Sequence, residues 1–284
     1  MRQLIINADD FGIAETANLG IIQGHVNGII TSTSIMPSGS AFEHALGLVS
    51  ANPDLGIGVH LTLVGEKPLC DPHTIASLVG PEGHLSNQYP EFLSRYCLGK
   101  IRLEDIKREL TAQVQKVVDC GIDITHLDSH QHMHIVPGII DVTIKIAKDF
   151  GIKRIRIPDE PYLFLGGYPF KTVRVMARAG LTFLAQIARR KLQQQKLAAP
   201  DHFFGMLAGG NMHEDYLLQV LSSLPEGISE VMMHPGMDDS TLRKRYDWNY
   251  HWQAELNAVC SLRIRQYIEQ HRINLISFRE LEYE

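Results

Sequence analysis

A chain of 284 residues with 44% hydrophobic and 21% charged content can bury a full core and reads as a globular protein of one large domain. Its net charge of −5 gives no reason to expect nucleic acid as a partner, and no apolar stretch reaches transmembrane length. Four scattered cysteines without a CxxC pair, and an N-terminal apolar run that meets Asp9 and Asp10 at once, argue against a disulfide scaffold or a secretory leader. A cytoplasmic location is the expectation.

The predicted elements alternate. A strand over residues 4–7 is followed by a helix over 15–27 that Gly28 stops. A second strand (30–36), a helix (41–51) and a third strand (55–63) come next. Residues 64–100, dense in Gly, Pro and His, read as a functional loop or lid rather than core. A helix over 103–119 leads to a fourth strand (122–128) and a helix over 137–150 opened by Pro137. The fifth strand, 154–157, is stopped by Pro158. A helix over 172–195, a short apolar piece at 202–207, a helix over 215–222 and a strand over 230–233 follow. One long helix (252–270) and a last strand (273–278) close the pattern. About eight strands, most followed by a helix, predict a parallel sheet with helices outside it, as in an irregular (β/α) TIM-like barrel of one domain. No GxGxxG follows the first strand, against a dinucleotide fold.

Chemistry-bearing residues gather where strands end. Asp9 and Asp10 end the first strand and are expected to diverge from an extended backbone, one free to bind a metal and the other to act as a base; the same pair could cap a helix. His60 ends the third strand, where a lone histidine is more often a hydrogen-bonded core residue than a ligand. The fourth ends in His126, Asp128, His130, His132 and His134, too many polar rings for packing alone. Alternation puts His126, Asp128 and His130 on one face if the strand runs on, with His130 the natural ligand and Asp128 able to orient an imidazole. His132 and His134 line a pocket or cap the next helix. His234, before Pro235 and Gly236, suits a general acid as well as a buried structural histidine. One Asp and two His around a divalent ion leave room for water and a substrate oxygen, as metal-assisted hydrolysis requires.

NADDFG at Asn7–Gly12, TSTS at Thr31–Ser34, GVHLTL at Gly58–Leu63, THLDSHQHMH at Thr125–His134 and MMHPG at Met232–Gly236 resemble the YdjC-like carbohydrate deacetylases over almost the whole chain. Residues 156–161 (RIPDEP) and 201–205 (DHFFG) look closest to one branch, the hopanoid-biosynthesis-associated HpnK proteins. The resemblance implies a degenerate barrel related to polysaccharide deacetylases and glycoside hydrolases. It also implies a metal held by Asp10, His60 and His130, with Asp9 as base and His234 as acid. Zinc suits that donor set, while the family is also associated with magnesium. The implied substrate is an N-acetylglucosaminyl hopanoid, and relatives act on chito-oligosaccharides such as diacetylchitobiose.

Residues 161–200 contain no acid. Lys171, Arg174, Arg178, Arg189, Arg190 and Lys191 interleave with apolar residues, after an aromatic run of Tyr162, Phe164, Tyr168 and Phe170. A basic amphipathic helix of this kind could lie peripherally on the inner membrane face, though an ordinary barrel helix fits the pattern too. A glycoside hydrolase using Asp9 or Asp10 with Asp128 would leave the histidines superfluous, and a non-catalytic metal- or sugar-binding protein would leave the acid and base without a task. Nothing in the pattern speaks against a homo-oligomer.

Overall fold

The apolar run Leu4, Ile5 and Ile6 becomes the centre of a parallel sheet. In the computed structural model, which describes residues 1–166 and 172–283, β1 (Arg2–Phe11) is buried from Leu4 onward. It pairs on one side with β2 (Ser32–Ile35), which leads to β3 (Gly56–Leu61) and β4 (Ile124–Ser129). On the other side it pairs with β6 (Gly227–Met233), which pairs with β5 (His202–Phe204). β7 (Asn274–Leu275) pairs with the start of β1, at Gln3 and Leu4. The sheet curls into a half-barrel in a single α/β domain.

Helices lie between the strands. They are α1 (Glu15–Val26), α2 (Phe42–Val49), α3 (Tyr89–Cys97), α4 (Leu103–Asp119), α5 (Ile139–Asp149), α6 (Thr172–Gln194), α7 (Glu214–Ser222), α8 (Asp239–Arg245), α9 (Trp252–Val259) and α10 (Leu262–Gln270). None among the described residues is long and apolar enough to cross a membrane.

Four expectations change. Seven strands form among the described residues, where spacing predicts eight. Residues 154–157 make only single parallel bridges, Leu127 to Ile155 and Arg154 to Ala198. The Arg156 carbonyl is taken by the His134 ring instead of a neighbouring strand, and Pro158 ends the run. The long final helix is two, because Ser261 caps α10 by accepting from the Arg263 and Ile264 amides. Residues 64–100, read as a loop or lid rather than core, contribute to the core: Ile75, Leu78, Leu85 and Phe92 join the main cluster, and buried Glu109 accepts from the Leu69 and Cys70 amides.

The fourth change concerns α6. Four of its described cations are paired, while Arg190 is exposed. Arg174 donates to the Leu207 carbonyl, buried Arg178 to those of Tyr162 and Phe164, Arg189 pairs with Asp159, and Lys191 with Asp141. Val173, Met176, Phe183 and Ile187 are exposed in their place. Spacings of three, seven and four residues put these on one side of the helix as an apolar stripe, where the composition predicts a basic face. Tyr168, Phe170 and Lys171 lie outside the described residues.

The fold positions His234 through a close helix–loop approach. A Cβ on Gly20, in α1, would lie 2.5 Å from the Gly236 Cα, two residues past His234. Gly20→Ala is therefore expected to destabilise the protein by about 1–3 kcal/mol through overpacking, beyond its helix-propensity gain. Urea denaturation checks this. An unchanged or raised midpoint would mean the contact is looser than described.

Candidate metal centre

Two backbone irregularities bring polar side chains to the sheet mouth. At the end of β1 the register with β2 shifts between Ala8 and Phe11, and Asp10 turns left-handed at φ 66°. The irregularity breaks strict alternation. The neighbouring carboxylates, expected to diverge, thus face the same space: His60 Nε2 is 3.9 Å from Asp9 Oδ2 and 3.5 Å from Asp10 Oδ1. At the end of β4, Gln131 and His132 are left-handed at φ 54° and 55°. The strand stops at Ser129, and the break carries His130 to Asp10, its Nδ1 3.2 Å from Oδ1. The predicted shared face of His126, Asp128 and His130 therefore survives for the first two, which both meet the Ser34 hydroxyl.

Donor atoms of buried Asp10, His60 and His130 lie within 4.8 Å of one another. Around a tetrahedral ion with bonds of about 2.1 Å, donors stand about 3.4 Å apart. The 3.2 and 3.5 Å separations match. Asp10 Oδ2 is buried without a hydrogen-bond partner, a costly state for a carboxylate oxygen unless a cation takes it. The donor set fits a divalent ion.

Below the cage, charge is arranged around one guanidinium. Arg156 has no solvent exposure. Its Nη1 and Nη2 each donate to Asp9 at 2.7 Å, Nη1 also reaches Asp128 Oδ2 at 2.8 Å, and Nε donates to Glu230 at 2.7 Å. Asp128 Oδ1 accepts from His60 Nδ1 at 2.8 Å, which leaves Nε2 toward the cage. Asp9 is therefore clamped rather than free, with a further hydrogen bond from the Asn7 amide at 2.8 Å.

The electrostatics follow. Burial alone would depress His60, but Asp128, Asp9 and Asp10 outweigh it and raise its pKa to about 9. Burial would raise Asp10, yet His130, His60 and His234 hold it well below the usual carboxylate range. Burial lifts Glu230 to about 8 against the pull of Arg156, helped by Asp9 and Asp128.

The remaining histidines divide. His126 stacks on Phe278 with centroids 3.7 Å apart and bonds to Thr125 and Ser34; burial lowers its pKa to about 3. His134 is tied to Ser129 and the Arg156 carbonyl, with burial lowering it to about 4. These two are core residues. Burial likewise pushes His132 well down, and its Nδ1 has no partner. His234 leaves β6 beside the cage, its ring edge-on to Tyr250 at 4.9 Å. Buried Glu255 accepts from the His234 and Met212 amides and comes within 4.0 Å of His234 Nδ1.

The sequence pattern gives no role to Arg156, Ser34 or Glu255. A cation between Ile155 and Ile157 was a usable signal, since an arginine in an apolar strand must bury its own counter-ions. Glu255 carries no local mark.

The family model described as YdjC-like protein matches residues 3–270. A carbohydrate deacetylase of Clostridium beijerinckii is 30% identical over 279 residues, covering 98% of this chain and 100% of that one. A second, from Brevibacillus brevis, is 28% identical over 281 residues, covering 98% and 99%. A crystal structure from Enterococcus faecalis V583, of a protein provisionally assigned to cellobiose-phosphate cleavage, superposes with TM-score 0.76 at 25% identity, covering 98% and 97%.

Two expectations follow. Arg156→Met strands Asp9 and Asp128 without a counter-ion and should cost about 3–5 kcal/mol in urea denaturation; a loss within error would show the cluster to be dispensable. The second concerns pH. His60 and Glu230 bind protons more tightly when folded than unfolded, so each stabilises most below its unfolded value and loses that contribution as pH rises through its folded value. Melting temperature of the chelated protein should therefore fall between the ordinary histidine value of 6.5 and about 9. A saturating divalent ion, which takes His60 deprotonated, should remove the decline. A flat chelated profile counts against the charge arrangement.

Proposed function

Because the chain belongs to the YdjC-like protein family, we propose that it removes the acetyl group from an N-acetylglucosamine-containing substrate, using a divalent ion held by Asp10, His60 and His130. It is an enzyme, a carbohydrate deacetylase. The observation that carries the reading is the convergence of that cage with clamped Asp9 on one side and His234 beside it.

The bound ion would supply Lewis-acid polarisation of the amide carbonyl and a lowered pKa for the attacking water. Asp9, aimed by both Arg156 Nη atoms, takes a proton from the water as its oxygen bonds to the carbonyl carbon. His234, its backbone fixed by Glu255, gives a proton to the nitrogen as the C–N bond breaks. Acetate and a free amino sugar result. His132 suits the acid role less, because burial holds it neutral. Two imidazoles and one carboxylate favour zinc over magnesium.

A glycoside hydrolase fits poorly. Asp9 and Asp128 share the same Arg156 Nη1, so they do not straddle a glycosidic bond. For the rest of the substrate there are two readings. The exposed Val173, Met176 and Phe183 favour an apolar aglycone such as a hopanoid, with peripheral contact at the inner membrane face through α6. The polar pocket beside His130 favours a soluble chito-oligosaccharide.

Acetate release should be measured on N-acetylglucosaminyl hopanoid and diacetylchitobiose, with stripped enzyme and defined zinc or magnesium add-back. Stripping should abolish release and zinc restore it, and Asp9→Asn should lower kcat by about 10²–10⁴-fold with the fold intact by circular dichroism. Chelator-resistant turnover, or cleaved sugar in place of acetate, would refute the mechanism.

A further inference from the structure

Helix α6 has two faces that ask to be covered, and this chain covers one. Arg178, Thr182, Ala185, Ala188 and Leu192 are buried against the rest of the domain. On the opposite side Val173, Met176, Phe183 and Ile187 are 80%, 74%, 59% and 37% exposed. We propose that this outer stripe pairs with the same stripe of a second copy of the chain, the two helices running antiparallel about a two-fold axis. The inference is independent of the reaction at the metal cage. A bilayer would need the same stripe, so the pairing goes with the soluble substrate.

Three features carry it. The exposed positions Val173, Met176, Gly180, Phe183 and Ile187 step by three and four residues in alternation, a seven-residue repeat. A narrow seam of that period faces another helix. Second, Gly180 sits in the middle of the stripe, where an added Cβ would meet no atom within 4 Å. Glycine weakens a helix interior, and the packing of a single copy does not ask for it here. An antiparallel partner does. With the axis midway between Gly180 and Phe183, each Phe183 ring fills the gap over the partner's Gly180, and Met176 faces the partner's Ile187. A parallel pair would instead leave a void at Gly180 and set the two Arg190 side chains together. In the antiparallel pair they stand at opposite ends, roughly 25 Å apart and beyond the Debye length. Third, area and charge suit a second copy. At those exposures the four residues present roughly 500 Å² on each copy, so pairing covers about 1,000 Å² in all, enough for a specific interface. An anionic bilayer would draw on cations beside the stripe. Arg174, Arg178, Arg189 and Lys191 are already engaged by groups of this chain, and Arg190 is the exposed cation among the described residues of α6.

Sedimentation velocity of the full chain tests the pairing. An interface of this size should give a reversible monomer–dimer equilibrium between about 1 and 100 μM. Phe183→Glu and Met176→Glu should each weaken it by about 100-fold or more, with the circular dichroism unchanged, because both side chains face solvent in the single copy. The register has its own test. Val173→Glu should associate about ten-fold or more tightly than Val173→Lys, because the antiparallel arrangement sets position 173 against the partner's Arg190. A chain that stays monomeric up to about 100 μM, or a dimer indifferent to both glutamates, overturns the proposal. Equal association of the two Val173 variants overturns the antiparallel pairing. Monomeric protein that binds phosphatidylglycerol vesicles, and loses that binding in Phe183→Glu, would assign the stripe to a bilayer instead.

Discussion

A guanidinium without solvent exposure, Arg156, sits among Asp9, Asp128 and Glu230, and each of these reaches a different part of the centre. Asp9 faces His60 Nε2, Asp128 holds the opposite nitrogen of the same ring, and Glu230 anchors the group to β6. A buried cluster of this kind contributes little net stability, because desolvation consumes most of the Coulombic gain. Its value is specificity. Displacing one member would leave the others unpaired in a low-dielectric interior, so the geometry of His60 and Asp9 is held to one solution.

The cluster is also out of balance in a way that explains the cage. With Asp10 added, four buried carboxylates face one guanidinium. Part of the excess is relieved by protons, as the raised values of His60 and Glu230 indicate. A divalent cation between Asp10, His60 and His130 would relieve it more completely and displace those protons. Metal affinity, protonation and fold stability would thus be one linked equilibrium.

Strain is concentrated at the same place. Three of the non-glycine residues with positive φ, Asp10, Gln131 and His132, flank the centre. Backbone in this region costs of order 1 kcal/mol or more per residue and persists only where surrounding contacts over-determine it. Here those contacts are the paired strands β1 and β4 and the hydrogen bonds of Ser129 and His134. What the strain accomplishes is convergence: carboxylates adjacent in sequence meet at one point, and a histidine past a strand end swings back to join them.

Much of the architecture was legible in the chain. Apolar runs separated by helix-periodic stretches mark the strands because side-chain burial imposes that pattern locally, and Asp10, His60, His130 and His234 stand out because polar residues at apolar strand ends need a reason to be there. Local pattern marks His130 as the ligand at the strand mouth but leaves open whether His132 and His134 line a pocket or cap the next helix, since these rings are chemically alike and differ only in what packs against them. It placed Asp9 and Asp10 on opposite sides, since alternation is the rule for an extended strand and the irregularity that breaks it depends on pairing with β2. Arg156 passed without a role because its partners come from β1, β4 and β6, far apart along the chain. The residues that can do chemistry are thus written in the sequence; which of them meet is decided by the curl of the sheet, where contacts between distant segments outweigh any local preference.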